Sequence, residues 1–179
     1  MNTDLDDVKF CYLFTLLAED TSGNREKEFK RMKKLWELDE WDNNQFKDFK
    51  KQVGKQSNSE TVLKQLNEML EGYYGMCIQD ESRQTRLLLW WLIQISFSNG
   101  KPTETDNKFI QKFRESMKLD SGISQEFSEV LELESILDVK KEWGTTMPLT
   151  DDENELLQKE LANDKKVLNT IVNDLVSLG

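Results

Sequence analysis

Five oxygen-bearing side chains stand at two similar corners of this sequence. Asp20 and Glu26 lie at the first, and Asn99, Glu104 and Asp106 at the second. Each corner follows an apolar run and precedes an amphipathic one. A hard cation such as Ca2+ takes several oxygen ligands from one small region, so these residues form a ligand set if the two corners meet across a pseudo-twofold. Acids at helix starts have a second use, as caps and as partners of the helix dipole. Spacing alone leaves both readings open. Asp20-Thr-Ser-Gly-Asn-Arg25 lacks the alternating oxygen ligands of an EF-hand loop.

Other chemistries are narrower. The chain has no histidine. That removes Ser-His-Asp and Cys-His catalysis and every histidine-bearing zinc site. Two cysteines do not make a four-cysteine site, and no glycine-rich phosphate loop is present. Cys11 and Cys77 read as buried thiols of a cytoplasmic protein rather than as a disulfide. A carboxylate-based enzyme ranks third among the functional readings, because an acidic chain offers many chance acid pairs. No cofactor is required on this reading, with Ca2+ the one ion left open.

Trp36-Glu-Leu-Asp-Glu40-Trp41-Asp42 is the other chemically loaded stretch. Trp36 fits the inner face of a helix, and Trp41 falls in the turn that follows. An exposed tryptophan between Glu40 and Asp42 is a hot spot for a basic partner. The competing reading is a tryptophan that covers the edge of the core.

The elements that carry these residues are helical. Only two prolines and eight glycines punctuate 179 residues, and apolar positions recur at steps of three and four. The expected helices cover about 5–19, 25–38, a third with Phe46, Phe49 and Val53 after a turn at 39–43, a fourth with Val62, Leu66, Met69 and Tyr73, then 81–98, a sixth with Phe109, Ile110, Phe113 and Met117, 124–142, and a last one over about 150–178. Leu87 to Phe97 has little polar face, which marks the fifth as the central helix. Ser57-Asn-Ser-Glu60 and Thr150-Asp-Asp-Glu153 read as capping boxes. Gly144 to Leu149 reads as a loop. The last helix carries Leu157, Leu161, Leu168, Ile171, Leu175 and Leu178 in a seam interrupted by Asp164. That seam serves packing onto the body first and dimerisation second, so a monomer or weak dimer is expected.

The same helical unit occurs twice, over about 8–56 and 87–138. Leu13 pairs with Leu92, Phe14 with Ile93, Asp20 with Asn99, Phe29 with Ile110, Met32 with Phe113, and Phe46 with Phe127. The expected architecture is a single all-α domain over 1–179, with about eight helices in two pseudo-symmetric bundles on a central apolar helix.

At the second corner, Ile95-Ser-Phe-Ser-Asn99-Gly100-Lys-Pro-Thr-Glu104-Thr-Asp106, followed by Phe109-Ile110 and Phe113, resembles the TerB-like domain family of tellurite resistance. That domain type also occurs in some membrane-anchored J-domain co-chaperones. The family pattern is an apolar helix ending in Ala-x-x-Asp-Gly, a turn, an acid and an amphipathic helix. Asn99-Gly100 matches its Asp-Gly step with an amide for the acid, and Asp106 matches the later acid. Ala18-Glu19-Asp20 resembles the same start, with Gly23 displaced and Glu26 as the nearest later acid. The resemblance implies paired helical bundles, divalent-cation binding at the two corners and no reaction.

Charge bounds the partners. The net charge is −10, which disfavours direct nucleic-acid binding and anionic lipid. Residues 25–55 are the exception, with ten bases and seven acids. Lys30, Arg31, Lys33, Lys34, Lys47, Lys50, Lys51 and Lys55 form either a docking face or an ordinary solvated one. The chain opens acidic, where a secretion signal opens basic, and no run is long enough to span a bilayer. A cytoplasmic location follows as the expectation. The first functional reading is a non-enzymatic module that recognises a protein partner in a bacterial stress or defence system. The alternative is an acidic immunity or inhibitor protein that blocks a basic toxin or nucleic-acid-binding partner.

Overall fold

The computed structural model describes residues 5–35, 38–54, 58–72 and 82–177. They form eight helices and no strand: α1 (Leu5–Thr15), α2 (Asn24–Lys33), α3 (Glu40–Val53), α4 (Ser59–Gly72), α5 (Ser82–Phe97), α6 (Glu104–Ser116), α7 (Ile123–Thr146) and α8 (Asp151–Ser177). The all-α expectation holds. Trp36, Ser57, Tyr73, Cys77 and Leu178 lie outside the described residues.

The chain divides into two compact units, Met1–Asp120 and Ser121–Gly179, where the sequence reading has one domain. The division falls at the Asp120-Ser-Gly122 turn, inside the second proposed repeat copy. Thus α1, α2, α5 and α6 share the first unit with α3, whereas α7 groups with α8.

In the first unit α1 is the most enclosed helix. It packs on α2, α3, α4 and α5, and the rings of Phe10 and Phe14 meet Phe109 and Phe113 of α6. Phe10-Cys-Tyr-Leu-Phe-Thr15 leaves it no polar face, and Leu5, Val8, Phe10, Cys11, Tyr12, Leu13 and Phe14 are all buried. A helix apolar all round belongs inside. The fifth helix, expected at the centre, is also deeply buried through Leu88, Leu89, Leu92, Ile93 and Ile95. It keeps exposed Arg83 and half-buried Gln84 and Gln94 at its margins.

Helix ends differ from the expected ones for local reasons. At the end of α1, Leu16 N donates to Leu13 O and Leu17 N to Phe14 O. These three-residue bonds tighten the turn and stop the helix before residue 19. Asp39 caps α3 by accepting from Asp42 N at 2.7 Å, so residues 40–43 are helical rather than a turn. At the start of α4 Asn58 Oδ1 accepts from Thr61 N at 2.7 Å, while the Ser57 of the expected box lies outside the described residues. The Thr150–Glu153 box forms as expected, with Thr150 N to Glu153 Oε2 at 2.8 Å and Glu153 N to Thr150 Oγ1 at 3.3 Å.

In the second unit α7 and α8 form an antiparallel hairpin. Leu157, Leu161, Leu168 and Val176 of α8 are buried, so part of the leucine seam is used in packing, while Asp164 is exposed and Ile171 is partly so. Gly144 belongs to α7 rather than to a loop. A Cβ there would run into Leu157 Cδ2, so the missing side chain lets α8 approach.

Candidate functional site

Both corners lie in the first unit, and their equivalent residues touch. Asn99 Nδ2 donates to Asp20 Oδ1 at 3.2 Å. Ser22 Oγ lies 2.7 Å from Asp20 Oδ1 and 2.8 Å from Asn99 Oδ1. Gly23 and Gly100 turn the chain at the two corners with φ of 70° and 92°. That left-handed region suits glycine, whose missing Cβ removes the steric cost.

The first corner is organised by Asp20. Its Oδ1 accepts from Gly23 N at 2.9 Å and its Oδ2 from Arg25 N at 2.7 Å. The carboxylate therefore serves the free amides at the start of α2, although Gly23 occupies the N-cap position. Partial burial pushes the Asp20 carboxyl up, but the hydrogen bonds from Ser22, Arg25 N, Asn99 and Gly23 N outweigh it and hold the pKa at about 2.

The second corner is organised by Thr103 and Asp106. Asp106 N donates to Thr103 Oγ1 at 3.1 Å, and Thr103 N donates to Asp106 Oδ2 at 2.9 Å. This is a reciprocal capping box at the start of α6.

Arg25 joins the two. Its Nη2 donates to Asp106 Oδ1 at 2.7 Å and its Nη1 to Asp106 Oδ2 at 3.1 Å. Both side chains are buried, at 2 % and 0 % exposure. Nη2 also donates to Phe14 O at 3.1 Å, and the guanidinium lies 5.2 Å from the Phe14 ring centroid. Phe14 O sits at the end of α1, where the dipole is negative, and accepts from Leu17 N as well. The guanidinium thus bridges the negative end of α1 and a carboxylate at the start of α6. Among the described residues Arg25 Nε has no acceptor. The bidentate geometry suits arginine and not lysine.

Glu26 and Asp106 occupy the same third position of their helices, yet only Asp106 turns inward. Glu26 is exposed and pairs with Lys30 at 3.0 Å, with Lys50 at 3.8 Å. The Lys30 hydrogen bond is the main cause of its lowered pKa. Glu104 is exposed and pairs with Lys108 at 2.6 Å, which lowers its pKa too. Of the five oxygen residues singled out in the sequence, the structure brings Asp20 and Asn99 together. It engages Asp106 with Arg25 and sends Glu26 and Glu104 to surface lysines. As arranged, these residues do not fit a calcium ligand set, because N–H donors already hold the Asp20 and Asp106 oxygens and a guanidinium neutralises Asp106. Among the described residues no group of three or more Asp, Glu, Cys or His side chains is placed to hold a metal ion.

Arg25 escapes a reading that seeks acids and glycines. One signal was available: a base in the first turn of a helix opposes the dipole, so its presence there calls for a partner elsewhere.

The partner-binding candidates lie on α3. Trp41 is 67 % exposed in the first turn, rather than in a connecting turn or over the core edge. Glu40 is exposed beside it and Asp42 half-buried. Several bases of the 25–55 stretch act as lids on aromatic rings. Lys50 Nζ lies 4.9 Å from the Tyr12 ring centroid and Lys33 Nζ 5.3 Å from that of Phe46. Burial, with the nearby Lys47 and Lys50, lowers the Lys33 pKa. Cys11 is a buried free thiol, its pKa pushed well up by burial and then by Asp7.

Among the described residues no helix is long and apolar enough to cross a membrane. Comparison with family models, with curated proteins and with solved structures finds no significant match for this chain.

Proposed function

We propose that this chain is a non-enzymatic, cytoplasmic binding module of the TerB-like type, which recognises a protein partner in a bacterial stress or defence system. The observation that carries the binding role is Trp41, largely exposed on the first turn of α3 between Glu40 and Asp42. A large ring with an acidic surround suits a basic or amphipathic partner segment. The direct Asp20–Asn99 contact supports the TerB-like part, because the two motif-bearing corners then belong to one assembly.

Capture from the native host with wild-type protein and with Trp41→Ala tests the role. The expected result is a defined partner lost in the variant, with folding stability changed by less than about 0.5 kcal/mol, as for an exposed side chain. An unchanged captured set would remove Trp41 from the reading. The divalent-cation part of the reading would require the corners to rearrange, releasing the Asp20 and Asp106 oxygens from their present donors. Absence of both heat and a Tm shift on calcium titration removes it. The second reading, an inhibitor of a basic toxin, is favoured by the acidity of residues 121–179, with thirteen acids against five bases. Recovery of a single basic nuclease as the partner would establish it over the first.

A further inference from the structure

The α7–α8 hairpin leaves an apolar face uncovered. Lys140 Nζ reaches across it to Glu160 Oε2 at 3.1 Å, which fixes one side where the two helices can be compared. Side chains three, four and seven positions along a helix share a face. On the Lys140 row of α7 stand Leu133, Ile136, Trp143 and, just past the helix end, Met147. On the Glu160 row of α8 stand Leu156, Val167 and Ile171. All seven are large apolar side chains exposed to solvent, Ile136 at 60 %, Trp143 at 50 % and Val167 at 57 %. They form two parallel rows straddling the groove between the helices. A contiguous patch of this kind marks an interaction site.

Charge identifies the occupant. Residues 121–179 carry a net −8, against −2 for residues 1–120. Glu129 continues the α7 row, and Asp164 and Asp174 continue the α8 row. Lys140, the base on these rows, is already paired with Glu160. A second copy of the chain would bring −8 against −8, which disfavours self-association. An anionic membrane is repelled for the same reason.

We propose that the α7–α8 groove receives a basic amphipathic helix from a partner protein. Its apolar stripe packs between the Leu133–Met147 and Leu156–Ile171 rows, and its lysines or arginines face Glu129, Asp164 and Asp174. The docked segment makes the hairpin a three-helix bundle, with Trp143 as the central aromatic anchor. This surface and the Trp41 site are made of different residues, so either proposal can fail alone.

The test uses the full chain and a dye-labelled amphipathic Leu/Lys helical peptide, read by fluorescence anisotropy. A peptide of the same composition, scrambled to spread its leucines around the helix, is the control. Expected are saturable binding of the amphipathic peptide that weakens with added salt, much weaker binding of the scrambled one, and a loss of affinity of about tenfold or more in Trp143→Ser. Because Trp143 is half exposed, the paired substitution Ile136→Ser with Val167→Ser provides an independent test. Circular dichroism checks that both variants keep their helicity. Equal binding of the scrambled peptide, no binding, or affinity unchanged in both serine variants would overturn the proposal. A stable wild-type dimer in sedimentation, dissociated by the same substitutions, would overturn it in favour of a second copy.

Discussion

The two corners of the first unit solve one problem by different chemistry. Each must satisfy the free amides of a helix that starts after a tight turn. The first does so from upstream, with Asp20 reaching Gly23 N and Arg25 N. The second does so from within, through the Thr103–Asp106 box. The first arrangement leaves Asp20 half-buried at the surface. The second takes Asp106 fully inside, where Arg25 supplies the counter-charge. Corners that look alike in sequence are thus a surface cap and a buried ionic junction, and the junction draws one partner from each.

The sharpest way to break this contrast is at the junction. Arg25→Met alone strands a buried carboxylate and is expected to cost about 3–5 kcal/mol in urea unfolding. The paired change Arg25→Met with Asp106→Leu should recover much of that loss, leaving about 1 kcal/mol for the missing cap of α6. Additive single and double effects would sink the claim that the two groups act as a unit. Next come the caps themselves. Thr103→Ala and Asp20→Ala should each cost about 1 kcal/mol, although the second touches no buried charge. A cost for Asp20→Ala as large as that for Arg25→Met would end the distinction between surface cap and junction.

Acid separates the corners further. The Asp20 carboxyl has an ordinary value of 3.8 and is held at about 2 in the fold. A depressed folded value means that its contribution is complete above the unfolded pKa. That contribution is lost as pH falls from about 4 towards 2. The wild type should lose stability across this window more steeply than Asp20→Asn, measured by urea unfolding at successive pH values. The smallest effect is expected for Asn99→Asp. It removes the donor to Asp20 and adds a like charge, so the Asp20 pKa should rise in an NMR titration while stability falls by a few tenths of a kcal/mol. Calcium that protects this variant and not the wild type would show that the amide is what keeps the corner from taking a cation.

Much of this was legible beforehand. The 3.6-residue period locates the eight helices of the described residues, because burial of one face imposes it. Asp20 and Asn99 were recognisable as equivalent from their place after an apolar run, and they meet. What periodicity does not encode is which of two acids at the third helical position turns inward. Glu26 and Asp106 share that position, and the outcome depends on where Arg25 comes to rest, some eighty residues away in sequence. Helix ends depart from the periodicity where capping decides them, as at Asp39. Trp41 shows the same effect: the Asp39 cap two residues upstream makes it helical. The division at residue 120 was hidden because the apparent repeat runs through it.

The separation of Arg25 and Asp106 has a consequence for the chain during synthesis. The two residues are 81 positions apart. A ribosome delivering about 5–20 residues per second places them on the order of ten seconds apart. In that interval a closed α1–α2 corner would hold a guanidinium with no counter-charge, so the corner stays hydrated and α1 lacks its sixth-helix cover. The unit therefore closes late, by a long loop rather than helix by helix, and the nascent first half presents the apolar surface of α1 to whatever stands at the tunnel exit.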